Sequence, residues 1–184
     1  MPYPDLPRPD APPAIAVVRD FVNTTDRETG SDEITTAADL VRYLTAEGLL
    51  TASARGSRDD LDLARRLRTG LRQALEQNHD GGTDPLPQLG RALAELRVEL
   101  GWSVAGPLLV PSAAGVRGAL ARIGIAAHEA AADGLWWRLK ICSSDECEWA
   151  YYDHSKNRSR QWCEYGCGNR VKTRNYRARQ RAVS

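Results

Sequence analysis

The sequence predicts an α+β protein, in which a mostly helical front domain with one short β-hairpin precedes a small cysteine-rich module. Apolar residues recur at helical spacing in four segments between residues 31 and 132. The pattern changes to short strand-like runs only around residues 97–110, and all four cysteines lie within residues 142–167. A chain of 184 residues is long enough for one ordinary domain and such a module, but not for two full domains.

Charge is divided unevenly along the chain. Residues 1–137 carry 14 Lys and Arg against 19 Asp and Glu, whereas residues 138–184 carry 11 against 5. A chain that is nearly neutral as a whole but basic at one end is typical of a protein that binds an acidic partner through that end.

The first 13 residues are rich in proline, which disfavours regular structure, and we expect residues 1–13 to form a disordered arm. The arm has no cationic start and no apolar core, so it does not read as a secretion signal. No apolar run approaches the roughly 18–20 residues that cross a bilayer. These features predict a cytoplasmic protein that does not enter a membrane, and cysteines in a reducing compartment favour metal over disulfides.

The front domain is predicted over residues 14–137. Its first segment, residues 14–24, is a short apolar stretch whose periodicity fits either a strand or a brief helix. Ser31 or Asp32 is expected to cap the next helix, which ends near Gly48. The face of this helix expected to be buried is Ala37, Leu40, Val41 and Leu44.

The rest of the front domain is predicted as two helices, a hairpin and a last helix. The first helix opens at residue 57 and ends before the loop that begins at residue 80, and the second covers residues 85–96. The hairpin pairs residues 97–104 with 107–110, and the last helix covers residues 112–132. Ser57 and Asp60 have the spacing of a capping box, which marks the start of the longest helix. The apolar residues expected to face inward on the longest and last helices are Leu61, Ala64, Leu67, Leu71, Leu75, Val116, Leu120, Ile123 and Ala127.

The cysteines form two close pairs, Cys142-x4-Cys147 and Cys163-x3-Cys167, separated by 15 residues. Structural zinc takes four ligands in a tetrahedron, and four thiolates leave no open position for catalysis. We therefore predict one structural Zn2+ ion bound by all four, rather than two disulfides, a redox couple or an iron–sulfur cluster. His154 lies between the two cysteine pairs, and we expect it to be an exposed turn residue. The alternatives are that it replaces a cysteine as metal ligand or contacts a phosphate.

A module of about 45 residues buries too little apolar surface to fold well alone, so the metal should supply the missing stability. We expect its core to be separate from that of the front domain, so that loss of a cysteine would unfold the module alone. Its aromatic residues either pack around the metal or, in one or two cases, stack on bases: Trp149, Tyr151, Tyr152, Trp162 and Tyr165.

A basic helix is predicted after Cys167. At 100° per residue, Cys167, Val171 and Ala178 share one face, which we expect to lie against the metal-binding module. An arginine stripe runs beside that face: Arg170, Arg174, Arg177 and Arg181. Arginine suits phosphate oxygens and guanine edges, although the position of Arg170 also suits a structural hydrogen bond within the module. The residues expected to contact nucleic acid are Lys156, Arg158, Arg160, Arg170, Lys172, Arg174, Arg177, Arg179 and Arg181.

Residues 142–179, and above all the run Cys-Gly-Asn-Arg at residues 167–170, resemble the CGNR zinc finger found at the C-terminus of many bacterial proteins. The run Asp-Phe-Val-Asn-Thr at residues 20–24 and the later Asp-Leu-Val at residues 39–41 are similar to the ABATE domain that usually precedes it. The resemblance implies a treble-clef finger over residues 138–184, an α+β domain before it, and a role as a stress-linked transcription regulator.

Together these observations predict a bacterial regulator that binds DNA through its C-terminal zinc finger. The front domain would sense a small-molecule effector, pair with a partner or form a homodimer. The alternative is a zinc-stapled adaptor that binds RNA or protein without DNA sequence specificity. We expect no enzyme activity, because a nuclease built on such a framework would need more imidazole and carboxylate ligands than the module supplies.

Overall fold

A computed structural model describes residues 10–51 and 53–183, so most of the expected arm, residues 1–9, lies outside the described residues. The described part is α+β, as predicted. Its α-helices are α1 (Pro13–Val22), α2 (Ala37–Ala46), α3 (Arg58–Asp80), α4 (Pro87–Glu95), α5 (Gly115–Ala132) and α6 (Cys167–Val183). Its strands pair antiparallel as β1 (Thr25–Asp26) with β2 (Ser31–Asp32), β3 (Val98–Ser103) with β4 (Gly106–Pro111), and β5 (Leu139–Ile141) with β6 (Ala150–Tyr152).

The ambiguous first segment is a helix, α1. Pro13 is its first residue, where the missing N–H costs nothing and the fixed φ already suits a helix. Ile15, Val18, Phe21 and Val22 are buried on it, and α1 packs against α5, α3 and β6. It therefore lies at the centre of the molecule.

The predicted cap of α2 is wrong. Ser31 and Asp32 pair with β1 instead, and the helix begins six residues after Ser31. Its cap is Thr36, whose hydroxyl accepts a hydrogen bond from the backbone N–H of Asp39, while the Asp39 carboxylate accepts one from the N–H of Thr36. This capping box satisfies two N–H groups at the helix start, which neither Ser31 nor Asp32 could do from inside a strand pair.

The longest helix, α3, starts at the predicted capping box. The Ser57 hydroxyl accepts from the Asp60 N–H at 3.1 Å, and the Asp60 carboxylate accepts from the Ser57 N–H at 2.9 Å. The helix ends at Gly81, whose φ of 75° lies in the left-handed region that glycine adopts without strain. All five predicted stripe residues of α3 are buried.

The hairpin β3–β4 also forms, with six cross-strand pairs from Val98 with Pro111 to Ser103 with Gly106. It packs against α5. The helix α4 is shorter than predicted by two residues at its start and one at its end, and α5 begins at Gly115 rather than Ser112.

One hydrophobic core unites the front domain (residues 14–137) with the first part of the C-terminal segment (residues 138–183). Leu139, Ile141 and Ala150 are buried among side chains of α1, α2, α3 and α5. The expectation of a separate core is therefore wrong, because the strand pair β5–β6 packs on α3 and α1. Tyr151 of β6 is the member of the pair that is buried with the cysteines. None of the helices in the described part of the chain is both long and apolar enough to cross a membrane.

Candidate metal centre and basic helix

The four cysteine sulfurs lie together, each buried and all within 4.8 Å of one another. The Sγ atoms of Cys147 and Cys163 are 3.8 Å apart, and those of Cys163 and Cys167 are 3.5 Å apart. A tetrahedron of sulfurs about 2.3 Å from a central ion has edges of about 3.8 Å, so the spacing fits a metal ion. Among residues 10–51 and 53–183, this is the one such group of His, Cys, Asp or Glu side chains that could hold an ion.

Local backbone structure brings the four cysteine sulfurs close together. The N–H of Cys147 donates to the carbonyl of Ser144 at 2.8 Å, which closes the tight turn between the first two cysteines. On the other side, Gly168 lets the first turn of α6 approach the Trp162 ring, since a Cβ there would lie only 3.3 Å from it. The α6 helix thus starts at a cysteine ligand and stays close to the site.

Hydrogen bonds to sulfur favour the thiolate form that binds metal. The N–H of Cys163 donates to Cys142 Sγ at 3.5 Å, and Arg170 Nη2 donates to Cys167 Sγ at 3.0 Å. Hydrogen bonds with the Cys147 and Cys163 side chains lower the pKa of Cys142, and the same contacts raise the pKa of Cys147 and Cys163, so the negative charge is concentrated on the Cys142 sulfur. Arg170 therefore makes a hydrogen bond within the finger, as its position suggested, and the acceptor of this bond is the Cys167 sulfur.

The aromatic residues divide between the shared hydrophobic core and the cluster around the four cysteines. Trp149 and Tyr151 are buried with the cysteines, and Trp162 and Tyr165 pack against them. Tyr152 instead packs against the front-domain core, which corrects its predicted place around the metal. His154 is exposed, with Nε2 2.9 Å from the carbonyl oxygen of Asp10 and its ring set edge-on to Tyr152. It does not belong to the cysteine cluster.

A buried ion pair lies beside the metal centre, and nothing in the sequence signalled it. Lys140 Nζ is 2.9 Å from Asp153 Oδ2, with both side chains buried. The Asp153 carboxylate also accepts from the N–H groups of Ser155 and Arg160, at 2.9 and 3.1 Å. Burial alone would raise the pKa of Asp153, but hydrogen bonds from Ser155 and Lys140 outweigh it and hold the pKa below its usual range.

The run at residues 20–24 joins the front domain to the C-terminal segment. Asn23 Nδ2 donates to the carbonyl of Ala150 at 2.9 Å, and its Oδ1 accepts from the Ala150 N–H at 2.8 Å. Asn23 thus pairs with β6 as a neighbouring strand would. The Thr24 hydroxyl accepts from Arg68, whose guanidinium also binds Asp32 at 2.6 Å. The run that carried the family resemblance therefore holds β6 in place.

Arg72 on α3 provides a second attachment. Its guanidinium donates to three carbonyls, those of Glu148 at 2.6 Å, Val22 at 3.0 Å and Thr25 at 3.3 Å. Glu148 lies in the C-terminal segment, Val22 is the last residue of α1, and Thr25 is the first residue of β1. Glu148 lies 76 residues after Arg72 and Val22 lies 50 residues before it. No periodicity in the sequence reveals contacts over such separations.

Replacing Asn23 by alanine is expected to lower the free energy of unfolding by about 2–3 kcal/mol, because it leaves two buried backbone groups of Ala150 without partners. Urea unfolding of the full chain measures this. The matched control is Asn157→Ala, at an exposed position, which should change stability by less than about 0.5 kcal/mol. Equal effects of the two substitutions would show that Asn23 does not anchor β6.

The basic helix α6 extends away from the metal centre. Val171 is half-buried, but every residue from Lys172 to Arg181 is exposed, including Ala178. The expected contact of Ala178 with the metal-binding module is therefore wrong, because only the first turn of α6 packs. Two residues of the arginine stripe have acidic partners at 2.7 Å: Arg170 pairs with Glu28, and Arg174 pairs with Glu146.

The other predicted nucleic-acid contacts differ in their surroundings. Lys172 lies over the Trp162 ring, 5.8 Å from its centroid. The Arg160 guanidinium donates to the Trp162 carbonyl at 2.7 Å and lies over the Tyr151 ring, so it is half-buried and held by contacts within the C-terminal segment. The predicted contacts that are exposed are Lys156, Arg158, Arg170, Lys172, Arg174, Arg177, Arg179 and Arg181.

The architecture is that of a helical α+β domain fused to a four-cysteine finger, and comparison with known families agrees. The ABATE family model, described as "Putative stress-induced transcription regulator", matches residues 16–136. The CGNR zinc finger model matches residues 138–180. The chain therefore belongs to the ABATE family and carries a CGNR zinc finger, and both are regulatory or zinc-finger types rather than enzyme families. A search of curated proteins finds no match.

Proposed function

We propose that this protein is a transcription regulator that binds DNA through α6, with a structural zinc ion held by Cys142, Cys147, Cys163 and Cys167. The observation that carries the proposal is the projection of an arginine-rich helix, exposed from Lys172 to Arg181, from a buried four-cysteine centre. Both family matches agree with a regulatory role.

Zinc suits the centre on chemical grounds. Four buried thiolates in a tetrahedral arrangement make a closed site, which is typical of structural zinc. The ion would join the turn at Cys142 and Cys147 to the start of α6 at Cys167. Most of the apolar residues of β5–β6 belong to the front-domain core, so few remain to stabilise the cysteine-containing part of the segment. Metal binding would supply the folding free energy that these few side chains do not.

The dimensions of α6 suit a DNA groove. Its 17 residues span about 25 Å, and a helix with its side chains is about 10–12 Å wide, close to the width of the major groove. Arg177, Arg179 and Arg181 lie on the part that extends beyond the metal centre. The C-terminal segment is also the basic part of the chain, with 11 Lys and Arg against 5 Asp and Glu in residues 138–184.

The acidic partners of the arginine stripe do not prevent this role. The pair between Arg174 and Glu146 is exposed on both sides, and exposed pairs contribute little to stability. A phosphate can therefore replace Glu146. Arg170 differs, since it also donates to Cys167 Sγ, and we assign it to the finger's structure rather than to base recognition.

The salt dependence of DNA binding tests the proposal. If α6 and its neighbours neutralise about six phosphates, log affinity should fall with log salt with a slope of about −5, because each contact releases counterions. Arg177→Gln and Arg181→Gln should each flatten this slope by about one unit. Fluorescence anisotropy with labelled duplex DNA at several salt concentrations measures both effects.

The matched control is Arg66→Gln, which removes the same charge on α3, far in sequence from α6. It should leave the slope unchanged, and all variants should retain the metal content of the wild type. A triple variant in which Arg174, Arg177 and Arg181 are glutamine should bind at least tenfold more weakly at physiological salt. Binding of the triple variant as tight as that of the wild type would refute the DNA-binding role of α6.

The adaptor alternative has one observation in its favour. Tyr176, in the middle of α6, is 62% exposed, and an exposed aromatic ring can stack on an unpaired base. Affinities for duplex DNA, single-stranded DNA and RNA at equal salt separate the two roles. Tighter binding of single strands or RNA, lost in Tyr176→Ala, would favour the adaptor.

For the front domain we propose a sensing or pairing role. A shallow groove of about 560 Å³ lies between the start of α1, the end of α5 and the hairpin β3–β4. Its walls are mainly apolar, with His128 and Glu129 among the polar residues. That volume is in the range of small-molecule sites, so an amphipathic effector would bind here.

A further inference from the structure

The hairpin β3–β4 carries an apolar face that is exposed to solvent along β3, while Leu109 and Pro111 on the β4 side are half-buried. Val98, Leu100 and Trp102 alternate along β3 and so share one face of the strand. Residues directly opposite in an antiparallel pair point to the same side, and their partners are Pro111, Leu109 and Pro107. All six side chains on this face are therefore apolar. Leu100 is 76% exposed and Trp102 is 82% exposed.

Exposure of this face is costly for such a small element. A two-stranded hairpin is marginally stable in water and is normally supported by further strands or by packing. Here α5 packs against β4, while Leu100 and Trp102, with Val104 in the turn, stay in water. Contiguous exposed apolar surface on this scale is characteristic of an interaction site.

We propose that this face is the surface through which two copies of the chain pair. Its side chains carry no charge, so it offers nothing to a phosphate backbone. It offers an identical apolar face in each copy, which is the requirement of a two-fold interface in which the same patch meets itself. This pairing role rests on the proposed function, because it is the front domain of the proposed regulator that would form the dimer.

The available area sets the strength of the pairing. An exposed Trp side chain offers about 150–200 Å² and each exposed Leu or Val about 60–120 Å². Trp102, Leu100, Val104 and Val98 together then offer about 400–500 Å² per copy, or about 800–1,000 Å² for the pair. This is below a standard interface, so the dimer should be weak and dissociate on dilution. Pairing would place two basic helices in one particle and raise the effective concentration of the second at DNA.

The test is the molecular mass of the full, metal-loaded chain by sedimentation over a range of concentrations without DNA. Wild type should shift from monomer to dimer as concentration rises. Trp102→Glu should weaken dimerisation at least about tenfold, as loss of an aromatic anchor does. Leu100→Gln is the second variant. The matched control is Trp137→Glu, at a tryptophan 56% exposed outside the hairpin, which should dimerise as wild type does.

Two outcomes would overturn the proposal: a wild type that stays monomeric at the highest concentrations attained, or hairpin variants that dimerise like the wild type. If the wild type stays monomeric and its molecular mass rises only after a small molecule is added, the apolar face belongs to the effector groove instead. Because DNA is absent, none of these results bears on α6. A monomeric Trp102→Glu that still binds a single DNA site with an unchanged salt slope would leave the proposed function intact.

Discussion

Replacing Asp153 by alanine is expected to lower the free energy of unfolding by about 3–5 kcal/mol. The substitution leaves the buried Lys140 ammonium with the carbonyl of Arg158 but without its charge partner. It also removes the acceptor for the N–H groups of Ser155 and Arg160. Few single substitutions cost as much, because few remove one half of a buried ion pair. Urea unfolding of the full chain measures the change.

Two further variants show whether the uncompensated charge is the cause. Asp145→Ala removes an exposed carboxylate from the same segment and should change stability by less than about 0.5 kcal/mol. Adding Lys140→Met to Asp153→Ala removes the unpaired charge and should recover part of the loss, since a buried pair and an apolar replacement are often similar in stability. If Asp153→Ala is no more harmful than Asp145→Ala, the pair does not stabilise the fold.

Replacing Cys163 by serine is expected to abolish stable metal binding, because three thiolates and a hydroxyl make a much weaker site. Metal binding to such segments supplies about 10–16 kcal/mol in isolated finger peptides, so its loss should unfold α6 and the turn between Cys142 and Cys147. The front domain should keep its helices but lose stability as well, since Leu139, Ile141 and Ala150 belong to its core. Circular dichroism and thermal unfolding separate these two effects.

The control for this prediction is wild-type protein from which the metal has been removed with a chelator. It should match Cys163→Ser in helix content and thermal stability, and it should recover both on addition of zinc, which the variant should not. A variant with wild-type helix content and an unchanged front domain would contradict the account, because it would mean that neither α6 nor the shared core depends on the metal.

The features predictable from sequence are those that leave a local signal. Ser57 and Asp60 stand three residues apart before an apolar stripe, which predicts the start of α3. The cysteine spacing predicts the metal site without any knowledge of the fold. Alternation along residues 97–110 predicts the hairpin, although it cannot show that Leu100 and Trp102 face water.

The features that were missed depend on contacts between distant residues. Asn23 and Ala150 are 127 positions apart, and neither residue type indicates a partner. Asp153 begins a polar run, and a single acid in such a run gives no sign of burial. The predicted separate core failed for a similar reason: the short apolar runs of β5 and β6 show that they are buried, but not which side chains cover them.

We propose that a single zinc ion, bound by four thiolates, closes the C-terminal segment and fixes the start of the basic helix. The decisive measurement is X-ray absorption at the zinc edge of the purified full chain, with zinc content determined on the same sample. We expect about one zinc per chain and four sulfur neighbours at about 2.3 Å. Nitrogen or oxygen in the first shell, or a metal-free protein with oxidised cysteines, would contradict it.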